Sequence, residues 1–287
     1  MDRIVFVGPG RLGLGLGYAL AQSGEVGRLL YYGRRPEPPE HPLFHSGMAD
    51  FEYGLDHPPV GTTALFLTVP DAALPEVAHS LAMKGDAPGG CAVFHTSGAL
   101  GLEVLTPLHE RGYAVGSLHP LRAVADPLGG LERFRGTFFA LSGEPEALRT
   151  GERILRYLDG RGLTIPTSRR PLYHAAAVIA SNHLVFLLRD AIDLLLQTGV
   201  SETEAREALV SLAQGTLENL ADLGTERALT GPLLRGDVET IELHLRALSP
   251  EEASSYVALA RRGLEWLRDG LPEETVARLD ALFTRYA

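Results

Sequence analysis

Four short stretches carry side chains able to do chemistry at a carbonyl or imine. FHTSGAL holds His95, Thr96, Ser97 and Gly98, and GSLHPL holds Ser117, His119 and Pro120. YHAAAVIASN places His174, Ser181 and Asn182 on a very apolar stretch, and LTGPLLRGDVET carries Arg235, Asp237 and Thr240. A neutral imidazole can relay a proton near pH 7, and a hydroxyl or amide can orient a C=O or C=N group. His119 and His174 are therefore the expected proton donors or acceptors, with Ser97 and Asn182 orienting the substrate. His95, Ser181, Arg235 and Thr240 are expected to contact it, Arg235 as an anchor for an anionic group. Each also has an ordinary explanation: a structural histidine, a helix cap at Asp237, or Ser and Asn bonding neighbouring helices.

A second pattern binds rather than reacts. IVFVGPGRLG supplies Gly8, Gly10 and Gly13 in the G-x-G-x-x-G spacing, after an apolar strand and opening a helix. The first glycine allows a tight turn, the second lets backbone approach a pyrophosphate, and the third lets helix pack on sheet. The backbone of Arg11 and Leu12 would complete a helix N-terminus facing phosphate. The next strand ends in YYGRR, with no carboxylate to take a ribose 2′-hydroxyl. Arg34 and Arg35 suit a 2′-phosphate instead, so NADP is expected over NAD. LFLTVPD puts Thr68, Val69 and Pro70 beyond a strand's carboxyl end, where they would border the cofactor.

These segments need a sheet edge to hold them. Apolar, β-branched runs at Ile4–Val7, Leu29–Tyr32, Ala64–Val69, Ala92–His95, Ala114–Leu118 and Phe138–Leu141 alternate with helical stretches starting near Leu12, Ala73 and Gly101. That alternation predicts a mainly parallel, doubly wound α/β sheet. A helix over Glu146–Leu158 and a short strand over Leu163–Ile165 should finish it. Pro36–Pro59 reads as loop with at most one short strand. From Leu172 to Leu196 the chain reads as a long apolar helix, and Ser201, Pro250 and Pro272 open others. The expected organisation is a Rossmann domain over residues 1–168 that binds NADP. An all-helical domain over residues 169–287 would serve substrate binding and dimerisation.

Composition narrows the partners. The net charge is −10, which argues against nucleic acid. Cys91 is the one cysteine and no acid-rich ligand set appears, so neither a disulfide framework nor a metal site is expected. The chain starts with a strand rather than a secretory segment. No uninterrupted apolar run is expected to reach bilayer length, so no membrane partner and a cytoplasmic location are expected. Leu172–Leu196 is too apolar to leave in water, which predicts a homodimer through the helical domain.

Together VGPGRLG, HTSGAL, GSLHPL, YHAAAVIASN and LTGPLLRGDVET resemble bacterial Rossmann-like proteins whose C-terminal half is a domain of unknown function. The wider group, the 6-phosphogluconate dehydrogenase C-terminal-domain-like superfamily, includes pyrroline-5-carboxylate reductase, ketopantoate reductase and prephenate dehydrogenase. The Gly-x-His-Pro stretch resembles that of prephenate dehydrogenases. The resemblance implies an all-helical second domain, often used for dimerisation. Ketopantoate reductases carry a lysine four residues before an asparagine on the first helix of that domain. Asn182 matches the asparagine, but Val178 stands at the lysine position, and Lys84 is the sole lysine. Pyrroline-5-carboxylate reductases do without that lysine. The expected function is NADP-dependent hydride transfer to or from a small, anionic C=O or C=N substrate. A non-catalytic NADP-binding sensor or scaffold is the alternative.

Overall fold

A computed structural model describes residues 1–286. The chain forms two compact units, Met1–Ser181 and Asn182–Ala287. The first runs β1 (Ile4–Val7), α1 (Arg11–Gln22), β2 (Leu29–Gly33), α2 (Pro42–His45), β3 (Ala49–Tyr53), β4 (Ala64–Leu67) and α3 (Leu74–Ala82). It continues through β5 (Ala92–His95), α4 (Thr106–His109), β6 (Ala114–Pro120), α5 (Gly130–Phe134), β7 (Phe138–Gly143), α6 (Pro145–Tyr157), β8 (Arg161–Leu163) and α7 (Arg170–Val178).

The strands make one sheet in the order β3-β2-β1-β4-β5-β6-β7-β8. Neighbours are parallel except β6 and β7, which are antiparallel. Successive residues of a strand point to opposite faces, and both faces are covered. Ile4, Phe6, Phe66 and Phe94 therefore join one core, while Val5, Val7, Leu65 and Val93 join the other. Register puts Phe6 beside Tyr31 and Phe66, and Phe66 beside Phe94, so four rings stack in a row across the sheet at 4.9, 5.1 and 5.3 Å. This row fixes the relative height of the strand ends that carry the glycine turn and the His95 cluster.

The six main strands fall where the apolar runs place them. Pro36–Pro59 holds the edge strand β3 and also the short α2. The last strand is Arg161–Leu163 rather than Leu163–Ile165, because Phe138 and Ala140 pair with Arg161 and Leu163, and Pro166 stops the run. The helix expected from Gly101 is two short turns, Leu102–Leu105 and Thr106–His109, with Pro107 forcing the break.

The second unit comprises α8 (Leu184–Leu196), α9 (Glu202–Ala228), α10 (Val238–Ala247), α11 (Pro250–Leu267) and α12 (Glu273–Arg285). No strand occurs in it among the described residues. Its core is α10, α11 and α12, packed through Ile241, Leu245, Val257, Leu264, Leu279 and Phe283. Ser201 and Ser249 close capping boxes with Glu204 and Glu252. Gly224, at φ +75°, breaks α9 near its end.

The unit division falls inside the long helix at Ser181, beyond the expected 168/169 boundary. The reason is Arg170, whose buried guanidinium ties the first turn of α7 to the sheet. The division coincides with a π-helical turn over Ile179–His183. One expectation is corrected: Thr167–Leu196 is a helix long and apolar enough to cross a membrane, with mean hydropathy 1.4 over its most apolar window. Counting uninterrupted apolar residues missed it, because Tyr173, His174, Ser181 and Asn182 interrupt the run without adding charge. None of that window is buried, and length and composition alone do not make it a span.

Candidate functional site: a glycine turn and a buried polar cluster

The turn after β1 is built for close backbone approach. Gly8 has φ +100°, and a Cβ there would meet Thr68 O and Val69 Cγ1 at 2.9 Å. A Cβ on Gly13 would lie 2.5 Å from Gly8 O and Thr68 Oγ1. The Thr68 hydroxyl donates to Gly8 O at 2.7 Å, which locks the turn to β4. By contrast a Cβ on Gly10 would have only Thr68 O nearby, at 3.9 Å, so the open side of the turn is here. Gly10 precedes α1, whose first turn has neither a side-chain cap nor an acid. Its leading N–H groups are thus available to an anion.

A cleft of about 1070 Å³ opens beside this turn, lined by Gly8, Gly10, Arg34, Arg35, Val69 and Phe51 among others. Arg34 and Arg35 are exposed, and neither is held by a carboxylate. Glu37 and Glu40 also line the cleft, Glu40 3.7 Å from His45 Nε2. The donor set fits a dinucleotide: free helix N–H groups for a diphosphate, apolar walls, and two guanidinium groups for a further phosphate. Arg11 and Pro70 are exposed at the rim of the turn, Leu12 is half-buried, and Thr68 serves by bracing the turn.

The parallel pair β5–β6 places the His95 and His119 stretches at one carboxyl edge, with His95 opposite Ser117. Helix α7 then brings Arg170, Tyr173 and His174 to that edge. They share one helix face because they are three and four residues apart. Arg170 is fully buried. It donates to Ser97 O at 2.6 Å, Ser117 Oγ at 2.7 Å and Ser142 Oγ at 3.2 Å. Its Nε has no partner. Burial pulls its pKa down from the usual arginine value, opposed by Tyr173, Glu103 and Asp71.

His119 Nδ1 lies 2.7 Å from the Tyr173 hydroxyl. The rings of His119 and His174 meet edge to face, 5.9 Å apart. A Cβ on Gly98 would sit 2.5 Å from His174 Nδ1 and 2.9 Å from His119 Nε2, so only glycine leaves room for both. His174 Nδ1 is buried without a hydrogen-bond partner. Burial, then His174 and Arg170, bring His119 down to about 4, with Asp71 opposing. His119 is therefore neutral at pH 7. Burial raises Tyr173, and Arg170 partly offsets this.

The other expected site residues fare differently. His95 is fully buried, accepts from Ser97 N at 3.2 Å, and is brought to about 4 by burial and Arg170. It shapes the turn. The Ser97 hydroxyl accepts from Ala99 N and Leu100 N and donates to Asp71 Oδ2 at 2.7 Å, which uses its full capacity. In this arrangement it holds the loop that carries Gly98. Ser181 donates to Ala177 O at 2.7 Å within the π turn. Asn182, Arg235 and Thr240 belong to the second unit; Thr240 donates to Asp237, the α10 cap, and Arg235 is exposed. The two histidines thus come together at Gly98, but neither lines the glycine-turn cleft.

Sequence reading passed over Arg170 and Tyr173. The signal was available: RPLYH puts both on the helix face of His174, next to a proline that starts the helix.

The fold is a Rossmann-type unit followed by an all-helical unit. The family described as a Rossmann-like domain matches residues 54–120, and the domain of unknown function DUF2520 matches residues 137–263. Among solved structures the chain is similar to protein TM1727 from Thermotoga maritima, at 25% identity over 93% of this chain and 97% of that one, TM-score 0.66. It is similar to BF3122 from Bacteroides fragilis, described as a proposed NADP oxidoreductase, at 22% identity over 91% and 97%, TM-score 0.67. A pyrroline carboxylate reductase from Plasmodium falciparum, solved with NADP bound, shares the fold at 12% identity over 99% and 97%, TM-score 0.61. No protein of curated function matches the chain.

Proposed function

We propose that this protein is an NADP-dependent reductase or dehydrogenase acting on a small, anionic C=O or C=N substrate. The observation that carries the reading is the uncapped α1 N-terminus at Gly10, opening onto a cleft that also holds the unpaired Arg34 and Arg35. The Gly8–Gly13 turn and α1 would hold the diphosphate, and the two arginines the 2′-phosphate. When bound, the nicotinamide supplies or accepts the hydride. The chain's part is to position the substrate and to move the proton, with His119 and His174 at Gly98 as the groups suited to it. Asn182, Ser181, Arg235 and Thr240 are proposed to complete the substrate site. The helical unit is proposed to make a homodimer, and the protein to act in the cytoplasm.

A non-catalytic NADP sensor is the second reading, favoured by the absence of His119 and His174 from the cleft lining. Titrating NADPH and NADH by nucleotide fluorescence tests the first. NADPH should bind at least about tenfold tighter, as one charge-assisted contact implies. Arg34→Ala should remove most of that difference. Equal affinity in the wild type overturns the NADP assignment. NADPH binding with no oxidation across a panel of keto acids and cyclic imines favours the sensor.

A further inference from the structure

An arginine with every side-chain atom out of water needs a counter-charge, and no carboxylate is bonded to Arg170; Glu103 and Asp71 act on it only through the field. Its partners are a carbonyl and two hydroxyls, and its Nε is unpartnered. The nearest group able to become negative on its own helix is the phenol of Tyr173, one turn on. That phenol is already hydrogen-bonded to His119, and the other nitrogen of His119 lies beside Gly98, next to His174. We propose that Tyr173 and His119 form a proton relay ending at Gly98, and that Arg170 is the standing counter-charge for the Tyr173 phenolate left behind.

The proposal rests on the reductase reading and adds the source of the proton. In the reductive direction, the substrate carbon of a C=O or C=N group takes hydride from a reduced nicotinamide. Its heteroatom then takes the proton from His119 Nε2. The Nε2–H bond breaks, the Tyr173 O–H bond breaks, and a new N–H bond forms at His119 Nδ1. The products are the neutral alcohol or amine, the oxidised nicotinamide, a neutral His119 with its proton moved to Nδ1, and a phenolate at Tyr173. Charge is conserved inside the site: the negative charge lands beside Arg170 rather than in unshielded interior. A solvent proton later restores the phenol.

This direction needs a neutral imidazole, which accepts at one nitrogen while donating at the other. The groups facing His119 are Tyr173, His174 and Arg170 of α7, and Asp71 after β4. Burial dominates among them and keeps His119 uncharged. His174 Nδ1, buried and unpartnered, packs on the other side of Gly98 and fixes the His119 ring from that side. The same relay run backwards serves oxidation, with the phenolate as the proton sink.

Two measurements on the intact chain test the relay without turnover. The first is the tautomer of His119 in the wild type by 15N NMR at pH 7, assigned with His119→Gln. Expected is protonated Nε2 and bare Nδ1, accepting from Tyr173. A protonated Nδ1 reverses the hydrogen bond and overturns the relay. The second incorporates fluorotyrosine at the nine tyrosines and follows 19F resonances with pH, assigning position 173 with Tyr173→Phe. Fluorination brings phenol ionisation toward the range where the fold persists. Arg170→Gln should raise ionisation at position 173 by about one pH unit or more, and Arg170→Lys should restore it. A purely structural arginine would show equal effects from both variants, and that outcome overturns the counter-charge. Nucleotide binding is measured separately. A chain that binds NADPH but carries the wrong tautomer loses the relay alone. A chain that binds no NADPH loses the reductase reading and the relay with it.

Discussion

Ser117 and Ser142 stand opposite each other in the antiparallel β6–β7 pair, and both hydroxyls receive the guanidinium of Arg170. The same guanidinium also bonds Ser97 O, so one cation joins β6, β7 and the Gly98 loop. Hydrogen bonds to a charged group contribute about 1.5–3 kcal/mol each, and a buried acceptor left unpaired costs more. Arg170→Met should therefore destabilise the chain by about 3 kcal/mol or more in urea unfolding. Lysine should recover part of this, since one ammonium cannot span all three acceptors. A loss below about 1 kcal/mol would show that the three bonds contribute little.

The glycine turn predicts a sharper result. At Gly13 a methyl would lie 2.5 Å from both Gly8 O and Thr68 Oγ1. Neither atom is the far end of a flexible chain. Gly13→Ala should push α1 off the turn, weaken NADPH binding by at least about tenfold, and cost roughly 1–3 kcal/mol in stability. Gly47→Ala is the control for glycine loss, since its Cβ would meet nothing, though its φ of +70° carries a small backbone cost. Isothermal titration of both variants with NADPH separates turn geometry from general strain.

Much of this was legible in the sequence, and the limits have physical causes. Apolar runs with strand character gave the six main strands because a doubly wound sheet buries both faces, so patterning and burial coincide. The glycine spacing located the turn because sterics there leave no alternative residue. The Gly98 cluster was legible only in part. His119 and His174 stood out by type, but their meeting depends on the pairing of β5 with β6 and on where α7 docks, which no local pattern encodes. Arg170 was missed because arginine is ordinarily read as surface. Ser97 looked reactive by type, yet its hydroxyl closes a local turn, as serine commonly does after a strand.

Two depressed histidines give the stability a pH slope. His95 and His119 are both brought from 6.5 to about 4, chiefly by burial. Between these values the unfolded chain binds protons that the folded chain refuses. Stability is therefore full above about pH 6.5 and falls as pH drops toward 4, by up to about 3 kcal/mol per histidine. His119→Gln should flatten the slope of unfolding free energy between pH 7 and pH 4.5, measured by urea titration at each pH. An unchanged slope would mean that His119 titrates normally in the folded chain.

The last prediction concerns the apolar face of α8 and α9. Val185, Phe186 and Leu187 on α8, and Leu212, Leu217 and Leu220 on α9, are all exposed, several by more than half. Neither helix has a buried apolar residue apart from Ala205. An isolated chain would thus leave these apolar side chains in water, which association would remove. A bilayer is the poorer cover. Arg189 and Asp193 pair on α8, Asp190 stands beside them, and Arg206, Glu207, Glu218 and Asp222 lie exposed along α9. Charges spaced through the apolar surface suit a protein partner with complementary pairs, and a second copy supplies them by symmetry. Sedimentation at micromolar concentration should give a dimer, and Phe186→Glu should shift it toward monomer by about tenfold or more in dissociation constant. The glycine turn lies in the other unit, so the variant should keep its affinity for NADPH. A wild-type chain that sediments as a monomer without detergent overturns the dimer, and one that partitions into vesicles gives the apolar face to lipid instead.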